Sequence, residues 1–445
     1  MTSQTNPESG VVEEQFSDRP VFATETLGVL PFGEHISCLA HIPPSRMFIV
    51  KRSLNGYTEK YPDEPVYDAS QGDGGASLPG VPEPLLRRAV EIHIKRGTSY
   101  DPPTGSAEFK KAIVEQYWRL DSSLNYGPEN VSATVGGRDG LIKAYQAVLA
   151  LGFGRLGDAV LVSRVPWISY TWGPAGVGAN TLLAPGSEAD GWRMTPEAIR
   201  ESVKYAESQN RNIAVLVITS PDNPTGRWLS PGEQINLAHA ALDAGIPYVL
   251  FDWIYHHVTD REPMDLNAML GAFGPGERER LIFLDGLTKS LGGSNIRGAH
   301  LIAPAGMIRF INAQASHSVI PPFFPQAVTL AAIEAGFDQA IQPIVEPTNH
   351  SRRYLREFLS EQGFQFILDQ GYYAFINAGE WIEFMGWDDS EALGQYLANS
   401  YGVAVVPGVH FSVFGKRWIR FSYASEPDYT MAAARRLKEG LDSLT

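Results

Sequence analysis

From about residue 80 the chain alternates between two hydrophobic rhythms. Residues 87–97 (RRAVEIHIKRG), 106–120 (SAEFKKAIVEQYWRL), 140–152 (GLIKAYQAVLALG) and 232–245 (GEQINLAHAALDAG) repeat apolar positions every three to four residues, the spacing of one helix face. Between them lie residues 158–164 (DAVLVSR), 212–220 (NIAVLVITS), 246–252 (IPYVLFD), 280–286 (RLIFLDG) and 298–304 (GAHLIAP). These runs are short, continuously aliphatic and bounded by turn residues, as strands buried on both faces of a mostly parallel sheet require. The alternation predicts an α/β fold with helices on both sheet faces. The last segment, about 330–445, mixes helical patterns with short strands at residues 372–378 (YYAFINA), 402–408 (GVAVVPG) and 418–424 (WIRFSYA). It reads as a smaller α+β domain, completed by early residues. The predicted organisation is a mobile arm over residues 1–25, a large domain over 76–330, and a small domain from 26–75 and 331–445. No internal repeat or low-complexity tract is evident.

Composition narrows the function classes. With 445 residues, 44% of them hydrophobic, the chain can bury two cores. It has 36 basic and 50 acidic residues, a net charge of −14, which disfavours a nucleic-acid or anionic-membrane surface. The single cysteine, Cys38, excludes an intramolecular disulfide and a Cys/His metal cluster, and reads as a small buried hydrophobe. The first residues, MTSQTNPESGVVEEQ, have neither the basic nor the apolar region of a secretory signal. No run reaches the ~18 apolar residues of a membrane span. The expectation is a cytoplasmic protein.

Ligands of such sheets bind beyond the carboxyl ends of the strands, so the residues at each strand exit deserve inspection. Residues 212–220 lead into PDNPTG with Asn223; 246–252 end at Asp252, followed by Tyr255; 280–286 lead into LTKSLGGSNIRG with Lys289 and Arg297. Singly these are a turn, a helix cap and a surface lysine. Together they set an amide, an acid, a phenol, an amine and a guanidinium around one crevice. A pyridoxal cofactor asks for such a set. Its aldehyde takes an amine as a Schiff base, its ring nitrogen a carboxylate, its phosphate a helix N-terminus and an arginine.

The ordered motifs resemble fold-type I pyridoxal-phosphate (PLP) enzymes of the aspartate aminotransferase class, over about residues 70–445. NPTG at 223–226, Asp252-Trp253-Ile254-Tyr255, and Thr288-Lys289 followed by Arg297-Gly298 match that family's asparagine, D-x-x-Y and S-K…R-x-G motifs. The resemblance implies that Lys289 forms the Schiff base and shuttles a proton. It implies that Asp252 pairs with the pyridine nitrogen, that Asn223 and Tyr255 bond the phenolate oxygen, and that Arg297 clamps the phosphate, with Thr288 or Ser290 the candidates to compensate for the serine absent at Gly286. VGGRDGL (135–141) resembles the glycine-rich turn whose amides, at Gly137 and Arg138, cradle phosphate. SYDPPTG (99–105) resembles a segment whose tyrosine, Tyr100, reaches the neighbouring subunit's phosphate, implying a homodimer with shared sites. In VPWISY (165–170) Trp167 is the expected ring-stacking aromatic, with Tyr170 competing. Arg420 in WIRFSYA is expected to bind the substrate α-carboxylate as a bidentate fork, with Gly72 supplying backbone beside it.

The implied reaction moves an amino group from an L-amino acid to a 2-oxo acid. The same scaffold also supports lyase, cyclase, replacement and oxidase or deaminase chemistry. Departures from the family pattern keep that alternative open: Gly286 stands where a phosphate-binding serine is common, Arg138 replaces a small or amide residue, and Trp253, His256 and His257 flank the acid and phenol. Tyr57, Trp167, Trp253 and Tyr373 are candidate pocket aromatics for a bulky side chain. No second arginine suggests itself for a dicarboxylate.

Overall fold

A computed structural model describes Phe16 and residues 19–33, 41–44 and 46–444. Cys38 and most of the predicted arm lie outside these residues.

The large domain is built on an eight-stranded sheet. In chain order its strands are β1 (Val21–Phe22), β2 (Val131–Val135), β3 (Ala159–Val162), β4 (Asn180–Leu183), β5 (Ile213–Thr219), β6 (Tyr248–Asp252), β7 (Leu281–Gly286) and β8 (Gly298–Ile302). The spatial order is β1-β4-β3-β5-β6-β7-β8-β2. The block β4-β3-β5-β6-β7 is parallel, and β1, β8 and β2 join antiparallel. The five aliphatic runs are strands, as expected. β1, β2 and β4 were not legible: β1 is two residues long, and β2 and β4 contain Ser132, Thr134, Asn180 and Thr181.

Period-two alternation divides the sheet's side chains between two cores. Leu161, Leu216, Val249, Phe251 and Phe283 enter one. Val160, Val162, Val215, Val217, Leu250, Ile282 and Leu284 enter the other, together with the helix Gly136–Leu151. Each such side chain contributes about 1.5–3 kcal/mol of transfer free energy, so the register of these strands is strongly set. Asp252, one residue after Phe251, therefore lies on the face of Leu250. Asp285, two after Phe283, lies on the opposite face.

The predicted helices form with small shifts. Glu83–Arg96 and Pro231–Asp243 match, the latter opened by a Ser230–Glu233 capping box. The third begins at Gly136, so the glycines are its first turn. The expected helix over 106–120 is α only over Ala107–Ala112, then a π turn runs over Ile113–Tyr117. Such turns redirect side chains, and this one brings Tyr117 and Trp118 against His300.

The small domain has a four-stranded sheet. Its strands are β9 (Phe366–Ile367), β10 (Tyr373–Asn377), β11 (Val406–Pro407) and β12 (Trp418–Ser422), in the order β9-β10-β12-β11. Helices Gln342–Glu361, Ser390–Tyr401 and Pro427–Asp442 enclose its core. Tyr67–Asp68 pairs with Val403–Ala404 in a separate two-stranded sheet. The earliest described residues differ from expectation. Val21 and Phe22 pair with Leu183 and Leu182, and Arg19 donates to Tyr205 Oη at 2.6 Å, so the end of the predicted arm is the edge of the large sheet. Residues 26–33 also sit there, because Phe32 N donates to Asn180 Oδ1 at 2.6 Å.

Candidate active site

A cavity of about 500 Å³ lies where β5, β6 and β7 end, between the two domains. It gathers Gly72, Gly137, Arg138, Trp167, Asn223, Asp252, Tyr255, Thr288, Lys289, Arg297 and Arg420. Of the candidate residues, Tyr100 alone stays outside: it is 93% exposed.

One end is shaped for an anion. The helix Gly136–Leu151 opens there with no side-chain cap, leaving first-turn amides as free donors under the positive end of the helix dipole. Arg297 crosses this turn, donating to Ser294 O at 2.9 Å and Val135 O at 3.4 Å. A Cβ on Gly136 would fall 2.5 Å from Arg297 Nη2, so only glycine admits the guanidinium so close. Arg138 stands at the mouth with its guanidinium 5.2 Å over the Trp167 ring. Partial burial and the charge of Arg297 lower its pKa. Among the described residues neither arginine has a carboxylate partner. Thr288 Oγ1 is buried without any hydrogen-bond partner, an orphan that an anion's oxygen would satisfy. The departure at Gly286 has a steric cause. A Cβ there would lie 2.6 Å from Ala299 Cα and Cβ on β8, so no serine fits.

The other end holds a third arginine. Arg420, on β12, is 1% exposed. Its Nη1 donates to Asn223 Oδ1 and its Nη2 to Ser70 O, both at 2.8 Å, while Nε is buried without a partner. The ring of Tyr373 lies 4.1 Å beneath the guanidinium. No carboxylate among the described residues pairs with it, and burial lowers its pKa. Because arginine only donates, the Asn223 oxygen must face it. The amide NH₂ is then the end left for the cavity.

Between the two ends sit the amine and the acid. Lys289 Nζ donates to Gly72 O and lies 5.4 Å from the Tyr255 ring centre and 5.6 Å from that of Tyr372. Tyr372 Oη donates to Lys289 O at 2.5 Å, fixing the turn. Asp252 Oδ2 accepts from Tyr170 Oη at 2.6 Å, and Oδ1 from Ile254 N at 3.1 Å. Burial, against these two hydrogen bonds, raises its pKa to about 6. Such a carboxylate gains from a protonated ring nitrogen beside it. Tyr255 Oη and Tyr373 Oη share a hydrogen bond of 3.0 Å. Burial raises Tyr255 far above its usual range; Tyr373, despite burial, is lowered by Lys289 and Arg420.

The candidate set therefore offers an amine, a buried acid and two unpaired anion sites on one cavity. Its residues fit pyridoxal phosphate: Thr288 Oγ1 is an orphan at the phosphate end, and Asp252 is a buried acid awaiting a cation. The comparisons decide the lineage. Residues 73–437 match the family model described as aminotransferase class I and II. The chain belongs to the class I and II aminotransferases. Its relatives include an aspartate aminotransferase of Bacillus subtilis, 25% identical over 368 residues that make up 82% of this chain and 89% of that one. A probable aspartate/prephenate aminotransferase of Thermus aquaticus is 29% identical, covering 77% of this chain and 84% of its own length. Among solved structures, a Thermus thermophilus aspartate aminotransferase double mutant superposes with a TM-score of 0.75 at 24% identity, covering 89% of this chain and 97% of that one. These share the fold-type I architecture. The family uses pyridoxal phosphate.

Within this aminotransferase, several sequence expectations change. Trp167 and Tyr170 both line the cavity, and the Tyr170 hydroxyl is bonded to Asp252. Of the pocket aromatics, Tyr373 lines the cavity. Trp253 points into the opposite core, 0% exposed, with Nε1 donating to Gln234 Oε1 at 2.9 Å. Tyr57 packs in the small domain beside Gly402 and Tyr61. Asp73 was missed: it caps Gly75 at 3.0 Å and accepts from Ser294 Oγ at 2.7 Å, steadying the loop that carries Arg297. Its signal was weak, an acid before two glycines.

Proposed function

We propose that this protein is a PLP-dependent aminotransferase that takes the amino group of an L-amino acid, attaches its cofactor at Lys289, and passes the amino group to a 2-oxo acid. One observation carries the reading: a lysine amine and a buried carboxylate share a cavity that has, at each end, a guanidinium with no carboxylate partner among the described residues. Two anions, a phosphate and an α-carboxylate, would satisfy those ends.

The first-turn amides at Gly137 and Arg138, with Thr288 and Arg297, would hold the phosphate. Asp252 would hold the ring nitrogen protonated, and Asn223 and Tyr255 would donate to the phenolate oxygen. Trp167 would cover the ring face. When bound, the cofactor supplies an electron sink for the pair left on the substrate's α-carbon. Arg420 grips the substrate carboxylate beside Gly72 and turns the Cα–H bond toward Lys289. Lys289 Nζ, as the amine on this cavity, would accept that proton and later return it. Two half-reactions, each interconverting an amino acid and its 2-oxo acid, complete the cycle. The relatives are named for aspartate, prephenate and an acetylated diaminopimelate. What such substrates share is a carboxylate next to the carbon that bears the amino or oxo group, and Arg420 is placed to clamp it. The exposure of Tyr100 supports a homodimer in which it reaches the partner's phosphate site.

The test is a panel of L-amino acids mixed with purified protein, followed by cofactor absorbance and product mass. A spectral change reversed by a 2-oxo acid is expected, as is borohydride-fixed cofactor mass at Lys289 that Lys289→Ala abolishes. Release of ammonia, or of a ring-closed product, with no 2-oxo acid required would instead support the lyase or cyclase reading.

A further inference from the structure

The sheet face turned away from the cavity holds a polar cluster that the reaction leaves unused. Asp285 is the penultimate residue of β7 and lies on that face, four residues before Lys289. His256 and His257 directly follow Tyr255. Asp285 and His256 are buried, at 2% and 3% exposure.

The hydrogen bonds in this cluster have one direction. Met264 N donates to His256 Nδ1 at 3.2 Å, so the ring proton sits on Nε2 and donates to Asp285 Oδ2 at 3.1 Å. Tyr117 Oη donates to the same oxygen, and its own oxygen accepts from His257 Nε2 at 3.0 Å. Gly286 N donates to Asp285 Oδ1 at 2.6 Å. Across the antiparallel pair from Asp285, His300 Nε2 accepts from Trp118 Nε1 at 2.8 Å. Burial opposes ionisation of Asp285, yet His256, hydrogen-bonded to it, holds it well below the usual carboxylate range. Burial keeps His257 and His300 neutral.

Two histidines and an acid with ligand atoms within 4.8 Å of one another also suggest a cation site. The donor directions argue against one. His256 already uses both nitrogens, and Asp285 Oδ2 already accepts twice.

We propose that His257, Tyr117, Asp285 and His256 form a positioning network, with Asp285 at its hub, that sets the segment bearing Asp252 and Tyr255 against the turn bearing Lys289. The β6–β7 ladder ends at Asp252 and Leu284, with one further bond from Trp253 N to Leu284 O at 2.9 Å. Beyond it no backbone hydrogen bond joins the two segments among the described residues, and the network connects them on the face away from the cavity. Asp252 and Tyr255 must meet one ring while Lys289 meets its aldehyde, and errors near 1 Å are costly in such sites. Asp285 touches neither cofactor nor substrate, so it acts through the others. The inference rests on the cofactor reading above.

Asp285→Asn tests it, because both carboxylate oxygens accept and an amide must set NH₂ against a donor on one side. The PLP dissociation constant is expected to rise about tenfold or more. The melting-temperature gain on PLP binding should shrink, since that gain follows ligand occupancy. Tyr117→Phe removes a single donor (a gentler change if Asp285→Asn fails to fold) and should weaken PLP severalfold. Equal losses in the cofactor-free and PLP-bound forms, with unchanged PLP affinity, would show a purely structural cluster and overturn the proposal. So would one equivalent of divalent metal in the purified protein, removable by EDTA. Borohydride fixation of wild-type protein separates the two claims. No adduct at Lys289 sinks the cofactor reading and this inference with it; an adduct with unmoved variants sinks only this inference.

Discussion

Arg420 gives the sharpest test of the site. Its guanidinium is buried, holds two neutral acceptors at 2.8 Å, and leaves Nε with none. A substrate carboxylate arriving there would be desolvated and paired with an existing charge. Truncating one partner of a buried, hydrogen-bonded charge pair costs about 2–5 kcal/mol, or roughly 30-fold to several-thousand-fold in kcat/KM. Arg420→Met removes the charge while conserving volume, and Arg420→Lys keeps the charge without the fork. We expect Met to fall within that range and Lys to fall less. The control is the matching amine, which has the side chain but no carboxylate. Its turnover should be low in wild type and nearly unchanged in Arg420→Met. The assay is single-turnover absorbance against donor concentration, read for both compounds. If amino acid and amine lose the same factor, Arg420 is a packing residue beneath Tyr373 and Asn223, and the carboxylate clamp is wrong.

Three further outcomes follow from the same geometry. Asp252 has its pKa raised to about 6 by burial. A raised acid contributes stability that is full below its unfolded value, ~3.9, and is lost as pH rises through ~6. In cofactor-free protein, the stability difference between Asp252→Asn and wild type should therefore move in the variant's favour by about 1–3 kcal/mol between pH 4 and pH 6, whatever constant cost the amide carries at its two donors, read from urea midpoints; a flat difference across this window would refute the assignment. Thr288→Val should leave cofactor-free stability unchanged or higher, because its hydroxyl has no partner, while PLP affinity drops about tenfold by equilibrium dialysis. Gly286→Ser should destabilise by about 1–3 kcal/mol in thermal melts without tightening PLP, since its Cβ meets Ala299 at 2.6 Å.

What was readable in the sequence was whatever depended on local order. The five aliphatic runs became strands because a two-sided core demands continuous apolar sequence, and their exits delivered Asn223, Asp252, Lys289 and Arg297 to one cavity. The orientation of side chains within that cavity was less readable. Trp253 and Tyr170 are both aromatics near the acid, yet sheet parity sends Trp253 to the far core, and a helical turn brings the Tyr170 hydroxyl onto Asp252. Arg138 was visible as an unusual residue at the glycine turn, but its place over Trp167 depends on a segment 29 residues away.

Asp285 shows the limit most clearly. In sequence it is one acid in an aliphatic run, and parity alone places it away from the cofactor face. Its meaning comes from Tyr117, which reaches it because a π turn replaces the expected helix, and from His256, whose tautomer is set by Met264 N. None of these partners is near it in the chain. A buried carboxylate with three donors and no cation is costly to assemble, and this one joins the two segments whose relative position decides whether Lys289 and Asp252 can meet one ring. That coincidence, more than the burial of any single member, is why the cluster reads as part of the site's machinery.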